Sequence, residues 1–222
     1  MTGDDVATAC AACGLDIVGA FHPAEDDASL TGIGTLFLLG PAGPAIWQSF
    51  ETSPEALDGA PEPMDRWSRR VIEKLAADLD ATAFFPFGGP PWQPFYRWAT
   101  EGEGAQVSPV SMMASAKRGL WISYRGALGF GETMTVPAVQ EAPCDQCRAP
   151  CRTACPISAF ANGQYDAERC ARHVLSEAGR ACRDGCLVRR ACPAGAGLDL
   201  PLEQRRFHMS AFTTTHGQEV PA

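Results

Sequence analysis

Eight of the ten cysteines lie after residue 140, and four of them form Cys144-x2-Cys147-x3-Cys151-x3-Cys155, closed by Pro156. The other four are Cys170, Cys182, Cys186 and Cys192, the last again followed by a proline, Pro193. A thiolate is a soft, anionic ligand for iron or zinc, and close spacing lets one loop present several thiolates to one inorganic core. Eight thiolates are what two all-cysteine [4Fe–4S] cubanes require, so electron transfer is the chemistry these residue types suggest first.

The first run is one residue longer than the C-x2-C-x2-C-x3-C-P run of bacterial ferredoxins, and Pro150 occupies the lengthened gap. In two-cluster ferredoxins the cysteine before the proline serves the other cluster. The same logic here assigns Cys144, Cys147, Cys151 and Cys192 to one cluster, and Cys155, Cys170, Cys182 and Cys186 to a second. The alternative is structural zinc, which favours paired C-x2-4-C knuckles. Only Cys144/Cys147 and Cys182/Cys186 make such pairs, and zinc leaves the two Cys-Pro ends unexplained. Cys10 and Cys13 form a further C-x2-C, but on an expected helix where i and i+3 share a face, which reads as two buried apolar thiols.

Two other segments have the composition of a binding site. Residues 84–98, FFPFGGPPWQPFYRW, hold seven aromatics, four prolines and two glycines. Prolines stiffen such a loop, glycines let backbone approach a ligand closely, and aromatic faces offer flat contact area. Phe87, Gly88, Gly89 and Gln93 are therefore expected to wall a planar cofactor, a corrin or alternatively a flavin; ordinary core packing is the competing reading. In GLWISYRGAL (119–128), alternation puts Trp121, Ser123 and Arg125 on one face and Leu120, Ile122 and Tyr124 on the other. An arginine in an apolar strand needs an anion or fixed acceptors. Arg125 is thus expected either to hold an anionic group beside the cofactor, as a catalytic residue, or to make a structural ion pair.

The elements that must position these residues read as an α+β fold in two parts. Residues 4–13 suggest a helix, 15–21 and 35–40 strands, and 81–85 another strand. Met64, Trp67, Val71, Leu75 and Leu79 recur at helical spacing behind Pro63, which predicts an amphipathic helix over 64–79. Residues 107–113 and 119–128 read as a strand pair. A proline-bearing, aperiodic stretch at 132–143 reads as a linker. This gives a cofactor-binding domain over 1–135, an iron–sulfur domain over 140–200 with short helices at 152–162 and 167–178, and a tail over 201–222. Such short pieces bury little, so inorganic cores would substitute for a hydrophobic core.

Bulk properties narrow the partners. A formal net charge of −8 argues against a dedicated nucleic-acid binder. No apolar run nears the ~20 residues that span a bilayer, and the acidic N-terminus lacks the basic region of a secretory signal. A cytoplasmic location is expected, where clustered cysteines serve metals more often than disulfides. Arg189-Arg190 and Arg205-Arg206 would either balance cluster charge or form a solvated face.

Segment 108–128, SPVSMMASAKRGLWISYRGAL, resembles the G-x-W-x-x-x-R-G strand of the cobalamin-processing family that decyanates and dealkylates incoming cobalamins. Gly119, Trp121, Arg125 and Gly126 match that motif, and Tyr124 lies within it; Ser115-Ala116 stand where the family has His-Pro. The resemblance implies a flavin-reductase/nitroreductase-like sheet domain with a corrin pocket, and for Arg125 a role in binding the thiol that accepts alkyl groups. The cysteine tail is similar to the two-cluster ferredoxin-like domain of epoxyqueuosine reductase, through the run Cys144 to Cys155, Arg169-Cys170, Gly185-Cys186 and Cys192-Pro193. Together these imply an oxidoreductase in which [4Fe–4S] clusters, fed by an upstream electron donor, reduce a bound cobalamin or remove its upper ligand. The competing expectations are epoxyqueuosine-reductase-like chemistry on transfer RNA and a plain ferredoxin-type electron carrier.

Overall fold

The computed structural model describes residues 1–216 apart from 42, 142 and 199, and the chain divides into two units. The first is Met1–Gly104 with Ser123–Gln140; the second is Ala105–Ile122 with the chain from Glu141 onward. The cysteine-rich unit therefore includes residues 105–122, which the sequence reading placed in the preceding domain.

In the first unit, α1 (Gly3–Ala11) opens with a capping box: Thr2 Oγ1 accepts from Asp5 N–H, and the Asp5 carboxylate accepts from Thr2 N–H. Then come β1 (Leu15–Phe21), β2 (Thr35–Pro41), α2 (Ala45–Glu51), α3 (Pro54–Leu57), α4 (Pro63–Asp78), β3 (Thr82–Phe84) and α5 (Phe95–Glu103). The chain crosses the second unit as β4 (Gln106–Val107) and β5 (Met113–Ala114) and returns as β6 (Gly126–Phe130). The strands of the first unit form one antiparallel sheet in the order β1-β2-β6-β3. The fold is mixed α+β with a small antiparallel sheet.

The continuous apolar run of β2 explains its central place, since both faces of an inner strand are covered. Leu36 and Leu38 pack with Phe21, Leu30, Phe95 and Trp98 on the side of α5. On the other face Phe37 meets Phe130 edge-on at 5.8 Å, and Ile72 of α4 reaches β6. Of the stripe expected on α4, Met64, Trp67 and Leu75 are buried; Val71 is only half-buried, and Ile72 and Ala76 are buried beside them. Burying each large side chain of this set contributes about 1.5–3 kcal/mol.

The expected strand pair over 107–113 and 119–128 is not formed. Met113–Ala114 pairs with Gln106–Val107, and the later strand starts only at Gly126. Ser115 and Gly119 bridge across a tight turn, and Trp121 N–H returns to the Arg118 carbonyl. Leu120 is buried in the core of the second unit with Val110, Ala114, Cys151 and Val188. Tertiary burial of Leu120 thus overrides the alternation that suggested a strand.

The second unit continues with α6 (Ala167–Leu175), α7 (Arg180–Arg183), α8 (Leu187–Arg190) and α9 (Leu202–His216), joined by 3-10 turns. The helix expected over 152–162 is replaced by turns at Pro150–Arg152 and Ala161–Gly163, with Ser158 left-handed between them. The helix expected over 167–178 stands as α6, capped by Asp166, which accepts from Arg169 N–H at 2.9 Å. The region expected to be a tail carries α9. Among the described residues no helix is long and apolar enough to cross a membrane.

Candidate metal centres

The eight clustered cysteines gather around two cavities of the second unit. Cys144, Cys147, Cys151 and Cys192 line the first, with Ser108, Ala114, Leu120, Pro143, Pro150 and Pro193 among its walls. Cys155, Cys170, Cys182 and Cys186 line the other, with Pro156, Ile157, Phe160, His173, Val188 and Met209. The two cavities are similar in size. The spatial grouping is the one that the Cys-Pro logic gave, including the exchange of Cys155 and Cys192 between the two halves of the sequence.

Local structure explains that exchange. The 3-10 turn at Pro150–Arg152 places Cys151 in the buried core beside Leu120 and Val188. Pro156 follows at once, and Cys155 then lines the second cavity with residues of α6, α7 and α8. At the other end, α8 stops and the turn Pro193–Gly195 leaves Cys192 on the first cavity. The α8 residue Val188 packs with Cys151 and Leu120 and also lines the second cavity, so this helix forms the partition.

Electrostatics within each group are mutually opposed. Burial first, then the charges of Cys192, Cys144 and Cys147, push the Cys151 thiol up. Burial and the neighbouring Cys186, Cys170 and Cys155 do the same to Cys182. The Cys151 and Cys182 thiols therefore stay protonated unless cationic charge joins them. All ten cysteines are free. Cys10, buried on α1, is pushed up to about 12 by burial, as suits an inert core thiol.

Donors surround the sulfurs. Ala149 N–H points to Cys147 Sγ at 3.4 Å, and Ala159 N–H to Cys155 Sγ at 3.3 Å. Tyr165 is stacked on Phe160, a wall of the second cavity. His173 lines the second cavity, and its Nε2 is buried with no hydrogen-bond partner among the described residues. Arg189 donates to the Leu120 carbonyl at 2.6 Å; burial lowers its guanidinium from the usual value, while the adjacent Cys186 charge raises it. Neither Tyr165 nor His173 was singled out from sequence, although both sit within five residues of a cysteine. Among the described residues no three His, Cys, Asp or Glu side chains converge closely enough to hold a single metal ion.

The residues expected to contact a planar cofactor divide between the units. Gly119 and Trp121 belong to the second. Gly119 has φ of 51° and abuts Cys192, and Trp121 lies against Gly195 and under Arg189. Their surroundings are those of the first cavity. Tyr124, Arg125 and Gly126 belong to the first unit. Tyr124 donates to the Glu103 carboxylate and packs on Phe95. A Cβ at Gly126 would stand 2.7 Å from Ile72 Cδ1, so this glycine admits α4 against the sheet. Arg125 pairs with Asp65, donates to Ser68 Oγ at 2.9 Å and lies over the Phe87 ring, which is the structural ion pair of the two readings. Phe87 also packs on Phe85 beneath Arg69, whose guanidinium abuts Gly88. Gly89 lies against Trp92, which is 66% exposed, and Gln93 is half-buried.

Comparison with protein-family models, curated proteins and solved structures finds no match.

Proposed function

We propose that the chain holds two [4Fe–4S] clusters, one in each four-cysteine cavity, and acts as a reductase that passes single electrons to a corrinoid bound by its first unit. The gathering of eight thiols into two separate groups of four carries the iron–sulfur part. The residues present fit the group: apolar walls exclude water, backbone donors face the sulfurs, and His173 Nε2 is a buried polar atom with no partner among the described residues. A cationic iron core offsets the burial and the mutual repulsion that raise Cys151 and Cys182. Four thiols around a single zinc would stand about 3.8 Å apart, given Zn–S bonds of about 2.3 Å. Among the described residues no three such side chains are grouped to hold one metal ion, and in a cubane each thiolate meets its own iron.

Once bound, such clusters supply one-electron chemistry over potentials of about −700 to +450 mV. The protein's part is to ligate, to exclude water and to place donors on sulfur. In this reading the second unit is ferredoxin-like and the first is flavin-reductase/nitroreductase-like. An upstream protein or small reductant supplies the electrons, and ten free thiols suit a reducing compartment such as the cytoplasm. The corrinoid rests on the resemblance of segment 108–128, with a flavin as the other occupant of the first unit. The commitment of Arg125 to Asp65 and of Gly126 to Ile72 favours a second reading, an electron carrier without its own substrate site.

Anaerobic purification separates these readings. Iron and acid-labile sulfide in equal amounts, with broad absorbance near 400 nm, are the expected result; colourless protein with stoichiometric zinc overturns it. Addition of hydroxocobalamin to the reduced protein is expected to reoxidise the clusters, restoring their absorbance, and to shift the corrin bands. Bound clusters with an unaltered corrin spectrum leave the electron carrier.

A further inference from the structure

The two cavities have different outer neighbours. Met209 of α9 is a wall of the second, and α9 packs against α6 and α7. The first borders a surface cleft of about 570 Å³, walled by Pro143, Gln146, Cys147, Arg148, Pro150 and Pro193. Cys147 and the three prolines line both spaces, so this shared layer divides the cleft from the four thiols. Proline is fixed in φ, and Pro150 and Pro193 each open a 3-10 turn, which makes the layer a preformed apolar floor. Gln146 and Arg148 are exposed, and among the described residues no side-chain hydrogen bond or ion pair engages either. Other arginines of the unit are committed, Arg183 and Arg189 to backbone carbonyls and Arg206 to Asp184. Arg148 supplies the only charge among the cleft walls.

We propose that this cleft receives the electron donor, a small molecule with a flat ring system and a phosphate, and that electrons enter the protein at the first cluster. This rests on the iron–sulfur reading above and names the donor which that reading leaves open. The volume falls in the range of small-molecule sites, about 300–1,000 Å³, whereas a partner protein needs a face of about 800 Å². The ring lies on the proline floor beside Cys147, and the Arg148 guanidinium pairs with the phosphate through two parallel hydrogen bonds. Reduced flavin mononucleotide has this chemistry. It loses two electrons one at a time and releases its two ring protons to water. The first cluster takes up one electron and hands it to the second before the next arrives, and no bond to the protein forms or breaks.

The test mixes the iron-loaded chain anaerobically with reduced flavin mononucleotide and follows the paramagnetic signal of the reduced protein in freeze-quenched samples. The rate is expected to saturate with flavin concentration. Below saturation, Arg148→Glu is expected to slow it about tenfold, the effect of losing a hydrogen bond to a charged group. Reduced riboflavin, which has the same ring and no phosphate, is expected to be slower and to show no difference between wild type and R148E. Should R148E load less iron, Gln146→Trp decides, because its ring fills the cleft without replacing a cysteine and should slow the flavin at full iron content. Wild-type rates in either fully loaded variant, riboflavin as fast as the mononucleotide, or reduction by a carrier protein alone would overturn the cleft and leave the clusters standing. A chain without iron overturns the cluster reading and this inference with it.

Discussion

Gly119 stands against Cys192: a methyl group at position 119 would lie 2.6 Å from the Cys192 sulfur and 2.6 Å from Gly195 N. Its φ of 51° adds a left-handed backbone cost of about 1–2 kcal/mol for any other residue. Gly119→Ala is therefore expected to displace Cys192 and to lower iron and sulfide by about half, with the second site retained. Metal analysis of the variant checks this. Full iron content together with weakened corrin binding would return Gly119 to the role its motif suggested.

The division of the thiols makes a paired expectation. Cys151→Ser strikes the first cavity and Cys182→Ser the second. Each is expected to remove one cluster and leave the other, so the two variants should show different residual paramagnetic signals. Identical signals, or complete loss of iron in both, would mean that the two sites do not load independently.

The sequence made the cysteine groups legible because thiolate spacing and the Cys-Pro ends are local signals. The sheet was legible for a similar reason: the apolar run of Leu36 to Leu39 and the helical stripe through Trp67 and Leu75 state their own burial. What failed was segment 119–125. Its alternation is real, but Leu120 is claimed by the core of the second unit and the chain changes unit after Ile122. No short-range pattern carries that information. The short helices α2 and α3 and the helix α5 after a proline-rich loop were missed because their stability comes from packing, as for Phe50 and Trp98, rather than from propensity. Tyr165 and His173 lie within five residues of Cys170, but local spacing does not say that folding brings His173 to the second cavity and Tyr165 onto its Phe160 wall.

Arg125 offers a test that separates structure from binding. Its side chain is 12% exposed and that of Asp65 29%, so removing the guanidinium leaves a carboxylate and the Ser68 hydroxyl poorly solvated. Arg125→Ala is expected to destabilise the first unit by about 2 kcal/mol, the range for a hydrogen-bonded, partly buried charge. Iron content should not change. Chemical denaturation followed by tryptophan fluorescence measures the loss; unaltered stability with abolished corrin binding would instead make Arg125 a ligand-holding residue.

Glu55 gives the first unit an acid-sensitive contact. Arg70 donates to it through Nε at 2.5 Å and Nη2 at 2.9 Å, and this pairing pulls the carboxyl from an ordinary 4.5 to about 2. A carboxyl whose folded value is depressed binds its proton more readily when unfolded. Its stabilising contribution is therefore complete above about pH 4.5 and lost as pH falls towards about 2. Arg70 is 53% exposed, so screening holds the effect to about 1 kcal/mol. Glu55→Gln should accordingly be less stable than wild type at pH 7, with the difference shrinking through this window. Urea midpoints measured at pH 7, 4 and 3 check it, and a difference that stays constant on acidification would show that the Glu55 carboxylate charge is not what Arg70 stabilises.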